Sequence, residues 1–189
     1  MNSTRCRRLL VTCALLFLCF FPSLLLVHAQ TESQISAHAR LTEAIDESSL
    51  VTLHGNTHPL AQPKFDTGPA PVSMPAKRLL LVLRRSAEQE AALKTYLESL
   101  QNPDSPNYLK WITPDEFGSR FGVSDADLAT VETWLQGHGF TINKIGRARM
   151  IIEVSGTVGQ IQSAFHTPIH GYSVDGEQHW ANTSSYQWT

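Results

Sequence analysis

Beyond residue 29 the chain has no cysteine: Cys6, Cys13 and Cys19 all fall in the first 29 residues. A disulfide framework is therefore excluded from the rest of the protein. No small residue stands directly before any of the three, which speaks against a lipid-anchored cysteine. Charged residues make up only 17% of the chain, and no charge block or internal repeat appears. One long apolar run exists, over residues 9–27, with Arg5, Arg7 and Arg8 ahead of it and Val27-His28-Ala29 behind it. This is the pattern of an export signal cleaved after Ala29, and Pro22 and Ser23 interrupt the run in a way that disfavours an uncleaved anchor. Its removal takes three of the 15 basic residues and no acid, leaving 12 against 17 acids. Such a mildly acidic exported chain has no general attraction for nucleic acid and no stable membrane anchor once the signal is gone. With 189 residues, 42% of them hydrophobic, there is room for one ordinary core.

Residues 30–77 read as an extended lead-in, because Gly55, Pro59, Pro63, Gly68, Pro69, Pro71 and Pro75 interrupt any regular element. Order is expected over residues 78–182, and residues 183–189 as the start of a linker. Leu79 to Leu83 form a continuous apolar run suited to a buried strand. Ser86-Ala87-Glu88-Gln89 is a capping box for a helix carrying Leu93, Tyr96, Leu97 and Leu100, which Asn102-Pro103 ends. Thr113-Pro114-Asp115-Glu116 opens a short helix that Gly122 closes, and Ser124 opens another over Leu128, Val131 and Leu135. Two strands follow, over residues 140–145 and 150–154, joined around Gly146-Arg147. Thr157 with Gln160 caps a further helix, and residues 167–174 form a strand turning at Asp175-Gly176 toward 178–181. The order predicts an α+β fold: a ferredoxin-like antiparallel sheet with helices packed on one face and a helical insertion after the first helix. The other face of such a sheet is free to meet a partner.

The densest stretch is YLKWITPDEFGSRFG, residues 108–122, in which Tyr108, Trp111, Phe117 and Phe121 are expected as local core around the cap residues Thr113, Pro114 and Glu116 and the stop at Gly122. With LLLVLRRS before it and AFHTPIH after it, the latter containing Phe165 and His166, this segment resembles the activation domain of the sedolisin or kumamolisin-like serine-carboxyl peptidase precursors. The resemblance runs in matching order over residues 79–182. It implies a propeptide of a secreted zymogen that assists folding of a peptidase and inhibits it until acid releases it. The partner is a sedolisin-type peptidase domain, normally in cis, that is missing from this chain. The alternative is a stand-alone secreted ferredoxin-like binding or protease-inhibitor module.

The chain itself is read as non-catalytic, with no cofactor and no metal site. Ser155-Gly156-Thr157 imitates the nucleophile context of the peptidases, but Val158 stands where the serine belongs and Thr157 is accounted for as a helix cap. His166 and His170 are four apart, and His179 is expected across the hairpin from them; a third ligand type is lacking, so they read as solvated or hydrogen-bonded. Because propieces of the family are shed in acid, His166, His170 and His179 are candidates for pH sensing. An equal alternative assigns that role to the acids Glu116, Asp125, Asp127 and Glu153. Arg84-Arg85 and Arg147 with Arg149 read as strand-end or hairpin charges, and Asn182-Thr183-Ser184 fits the glycan acceptor pattern.

Overall fold

The computed structural model describes residues 36–188; the three cysteines and the export-signal pattern lie outside them. Helix starts follow the capping residues. The Ser86 hydroxyl accepts the Gln89 amide while the Gln89 side chain accepts the Ser86 amide, and this exchange opens α1 (Ala87–Gln101). Thr113 and Glu116 do the same ahead of α2 (Pro114–Phe121). Next comes α3 (Asp125–Gly137), where Ser124 takes the Asp127 amide but receives nothing in return. The Asp127 carboxylate is 4% exposed and turned away, toward the amides of Arg40 and Leu41. The reciprocal exchange reappears at Thr157 and Gln160 ahead of α4 (Val158–Phe165). Each pair satisfies two amides that a helix start leaves orphaned.

The strands are β1 (Val51–Leu53), β2 (Asp66–Pro69), β3 (Pro75–Val82), β4 (Thr141–Ile145), β5 (Ile151–Thr157), β6 (Ile169–Val174), β7 (Glu177–Asn182) and β8 (Tyr186–Trp188), with a 3-10 turn at Pro63–Phe65. All pairings are antiparallel. Among the described residues they form sheets in the orders β3-β5-β4, β2-β6-β7 and β1-β8. The protein is thus α+β with antiparallel sheets, compatible with a ferredoxin-like plan.

Two features differ from the sequence reading. The strand over residues 167–174, expected beside the others in one sheet, pairs as β6 with β7 and with β2, a strand drawn from the Pro/Gly-rich lead-in. Gly171 makes this close pairing feasible: a Cβ there would stand 2.4 Å from Gln178 Nε2 and 2.5 Å from Thr67 Oγ1. The run Leu79 to Leu83, expected as a buried strand, alternates instead, with Leu79 and Leu81 facing the core and Leu80 and Val82 55% and 67% exposed. An apolar residue on a sheet facing helices on one side only is covered at every second position.

The main core lies between the inner face of β3-β5-β4 and the helices α3 and α4: Leu128, Val131, Leu135, Phe140, Ile152, Val154, Val158, Ile161 and Ala164. A smaller core of Leu93, Tyr96, Leu100 and Phe121 joins α1 to α2. Gly118 and Gly122 bring α2 against the backbone of the β4–β5 turn.

Candidate functional site

The outer face of β3-β5-β4 is the surface left uncovered by the helices. Val82 lies opposite Ile151, itself 41% exposed, and Leu80 lies opposite Glu153. These three apolar side chains form one end of the face. Polar groups border them: Arg78 stands 3.6 Å from Glu153, Lys144 is in register with Glu153, and the Ser155 hydroxyl donates to Asn143 Oδ1 at 3.0 Å. An exposed apolar cluster rimmed by charge has the make-up of protein-docking surfaces. At its edge, β3 has no strand partner among the described residues on the side away from β5. A groove of about 270 Å³ runs there, lined by Leu79, Leu81, Leu135, Phe165, Tyr186 and Trp188 among others.

The sequence-predicted residues separate rather than converge. Thr113, Pro114 and Glu116 form the start of α2, where the Thr113 amide and hydroxyl hold the Glu116 carboxyl below its ordinary value. Phe121 is fully buried and Phe117 packs on it with ring centroids 5.5 Å apart. Tyr108 and Trp111, expected in the core, are 41% and 73% exposed. The backbone of their loop is what is pinned: the Tyr96 hydroxyl donates to Lys110 O at 2.8 Å and the Leu109 amide to Leu100 O at 3.1 Å, with Leu109 itself at φ 54°. The rings are thereby turned to solvent.

His166 ends α4 in the left-handed region, at φ 48°, and is exposed. His170, on β6, has Nδ1 2.8 Å from Asp66 Oδ2. The Asp66 carboxyl lies below its ordinary range, first through the Gly68 amide and then through His170. His179 is exposed on β7, opposite Tyr172, 3.8 Å from Glu177. Of the acids proposed as alternative sensors, Glu116 serves the cap, Asp125 pairs with Arg149 at 3.0 Å, Asp127 holds the Arg40 and Leu41 amides, and Glu153 pairs with Arg78. Arg147 binds Asp115 through two nitrogens, which lowers that carboxyl. The glycan acceptor reading of Asn182 fails on burial, since its side chain is 5% exposed and its amide donates to Ser184 O at 2.6 Å.

One histidine passed over in the sequence stands in a more connected position. His138 Nε2 is 2.6 Å from Glu47 Oε1, which also accepts the Trp134 indole N–H at 2.8 Å. Trp134 is in the last turn of α3 and His138 is the residue that caps its end, four positions on, but Glu47 is 91 residues from His138 and no local pattern joins them.

The sequence matches the family described as "Pro-kumamolisin, activation domain" over residues 66–188, from β2 through β8. The chain belongs to the pro-kumamolisin activation domain family. This activation domain is 29% identical over 160 residues to xanthomonalisin of Xanthomonas sp. (strain T-22), covering 82% of this chain and 19% of that protein. It is 27% identical over 107 residues to sedolisin of Pseudomonas sp. (strain 101), covering 57% of this chain and 18% of that protein. The chain thus spans about a fifth of the length of the curated relatives it matches. Among the described residues of the activation domain no helix is long and apolar enough to cross a membrane.

Proposed function

We propose that the activation domain is the propeptide of a secreted sedolisin-type serine-carboxyl peptidase, and that it assists folding of that peptidase and inhibits it until acid releases it. What supports this reading is family membership together with the apolar cluster of Leu80, Val82 and Ile151 on the face that the protein's own helices leave open. In this reading the outer face of β3-β5-β4 rests on the peptidase, and the chain after β7 leads toward the peptidase cleft. A stable inhibitory complex needs at least ~1,000 Å² of buried surface in total, so in this reading the flanking loops take part beside the sheet face. Catalysis belongs to the peptidase; in the activation domain Thr157 is occupied as a cap and Ser155 as a partner of Asn143.

Titration of the chain into an acid-active sedolisin-type peptidase, with residual activity followed from neutral pH into acid, tests the proposal. Tight inhibition near neutrality that fades in acid is the expected outcome. No inhibition at any pH, with circular dichroism showing a folded chain, makes an independent binding module the better account.

A further inference from the structure

Residues 36–50 form an arm whose start is tethered by the Ala37 amide to Ser119 O at 3.2 Å and by Arg40 Nη1 to Arg84 O at 3.1 Å, and which is then fixed at two points along α3. At the first, the buried Asp127 carboxylate accepts the Arg40 amide at 2.8 and 3.1 Å and the Leu41 amide at 2.7 Å. At the second, Glu47 Oε1 receives Trp134 Nε1 and stands beside His138 Nε2. Between them, Ile45 packs on the main core. The arm runs directly into β1, which pairs with β8 in the register Val51 to Trp188, Thr52 to Gln187 and Leu53 to Tyr186.

A ladder of three residue pairs is marginal in water. All three β1 residues are exposed, so the strand adds little burial of its own. β8 is held by its rings: Trp188 stacks on Phe165 with centroids 5.5 Å apart and planes at 21°, and Tyr186 meets Phe165 edge-on at 5.8 Å. The Trp188 ring also lies 4.4 Å from the Trp134 ring. Trp134 therefore has two functions at once, its N–H gripping the arm and its ring supporting β8. Glu47, Trp134 and Trp188 thus join the end of the arm, β1 and β8 in one chain of contacts, the arrangement of a locally cooperative unit.

We propose that the arm, β1 and β8 form an acid-operated latch: closed, it holds Tyr186 to Trp188 on the activation domain; open, it presents the stretch after β7 as an unpaired strand. The proposal rests on the propeptide reading only for what the freed strand meets, a peptidase cleft. Its chemistry is that of Glu47, which accepts both hydrogen bonds as a carboxylate and loses the charge-assisted one on protonation. The hydrogen bond from His138 and then that from Trp134 hold the Glu47 carboxyl below its ordinary 4.5. His138, the residue that caps the end of α3, and His166 at the end of α4 both act on it in the lowering direction, while its neighbour Asp46 is turned to the Ser48 amide. A depressed carboxyl contributes stability above its unfolded value and loses it as pH falls through the folded one, so the latch opens below pH 4.5.

Hydrogen exchange on the full chain, corrected for the intrinsic pH dependence of exchange and read without any peptidase, tests the latch independently of the propeptide reading. Expected is loss of protection in β1 and β8 together in acid, by about tenfold or more, while β5 stays protected. Glu47→Ala brings the same loss at neutral pH and flattens the response to acid. Protection of β8 that does not change with pH overturns the latch, as does wild-type protection in Glu47→Ala or loss of β8 only together with β5. Inhibition of a peptidase plays no part in the readout, so an absent latch and an absent propeptide role give different results.

Discussion

A methyl group on Gly122 has no space to occupy. Its Cβ would stand 2.5 Å from Gly118 O, 2.6 Å from Ala148 O and 2.8 Å from Arg149 Cβ. Two of these are backbone atoms, which cannot rotate away. Gly122→Ala is expected to destabilise the protein by about 1–3 kcal/mol, the usual range for overpacking, visible as a lowered midpoint in urea denaturation. The sequence marks Gly122 as a helix stop, yet its φ of −86° is open to any residue. What requires glycine there is the Gly118 carbonyl one turn back together with the β4–β5 turn some 25 residues on, and the second of these is a tertiary fact without local trace. The cap at Thr113, by contrast, is legible because its partner Glu116 is three residues away. Thr113→Ala is expected to cost about 1 kcal/mol and to be measurable by the same denaturation. Trp111 marks the opposite failure: aromatic composition implies burial, and only the pinned backbone beneath it explains why the ring is outside.

Elements whose signals are internal to them were legible, and those defined by a distant partner were not. α1, α2 and α4 carry their own capping boxes, and β4, β5, β6 and β7 are bounded by turns. β1, β2 and β8 have at most four residues each and exist only as edges of other strands, so no periodicity identifies them. The ion pairs and caps between elements also set an acid limit on stability. Asp115 is lowered by Arg147, Glu116 by the Thr113 amide and Asp66 by the Gly68 amide and His170. Each therefore stabilises the fold above its ordinary value of 3.8 or 4.5 and stops doing so as pH falls through its lower folded value. The urea midpoint is expected to be level from pH 7 to about pH 5 and to fall below it, a fall that Arg147→Met makes shallower by removing the contribution of Asp115. A midpoint that rises on acidification would contradict this assignment.

For the whole molecule, the separation of the core from the proposed contact surface makes docking testable without unfolding. Leu80 and Val82 point away from the core, while Leu79 and Leu81 point into it. Leu80→Glu and Val82→Glu are expected to leave the thermal midpoint nearly unchanged and to weaken inhibition of a sedolisin-type peptidase by about tenfold or more, each placing a charge in a desolvated contact. Leu81→Glu, which turns a charge toward the core from a partly buried position, is expected to unfold the protein instead, seen as lost circular dichroism. Equal inhibition by wild type and Val82→Glu would move the contact away from this face.

The antiparallel register of β1 and β8 also has a mechanical consequence. Trp188 lies beside Val51, and Tyr186 beside Leu53, so a tug on the chain beyond Trp188 meets the pairs one after another. Pulled against the arm that enters at Val51, the ribbon unzips instead of resisting in shear, and it yields from its outer end inward. Tension on that flank would therefore be absorbed by three residue pairs and the aromatic stack beneath them, leaving the β3-β5-β4 sheet unloaded until they had parted.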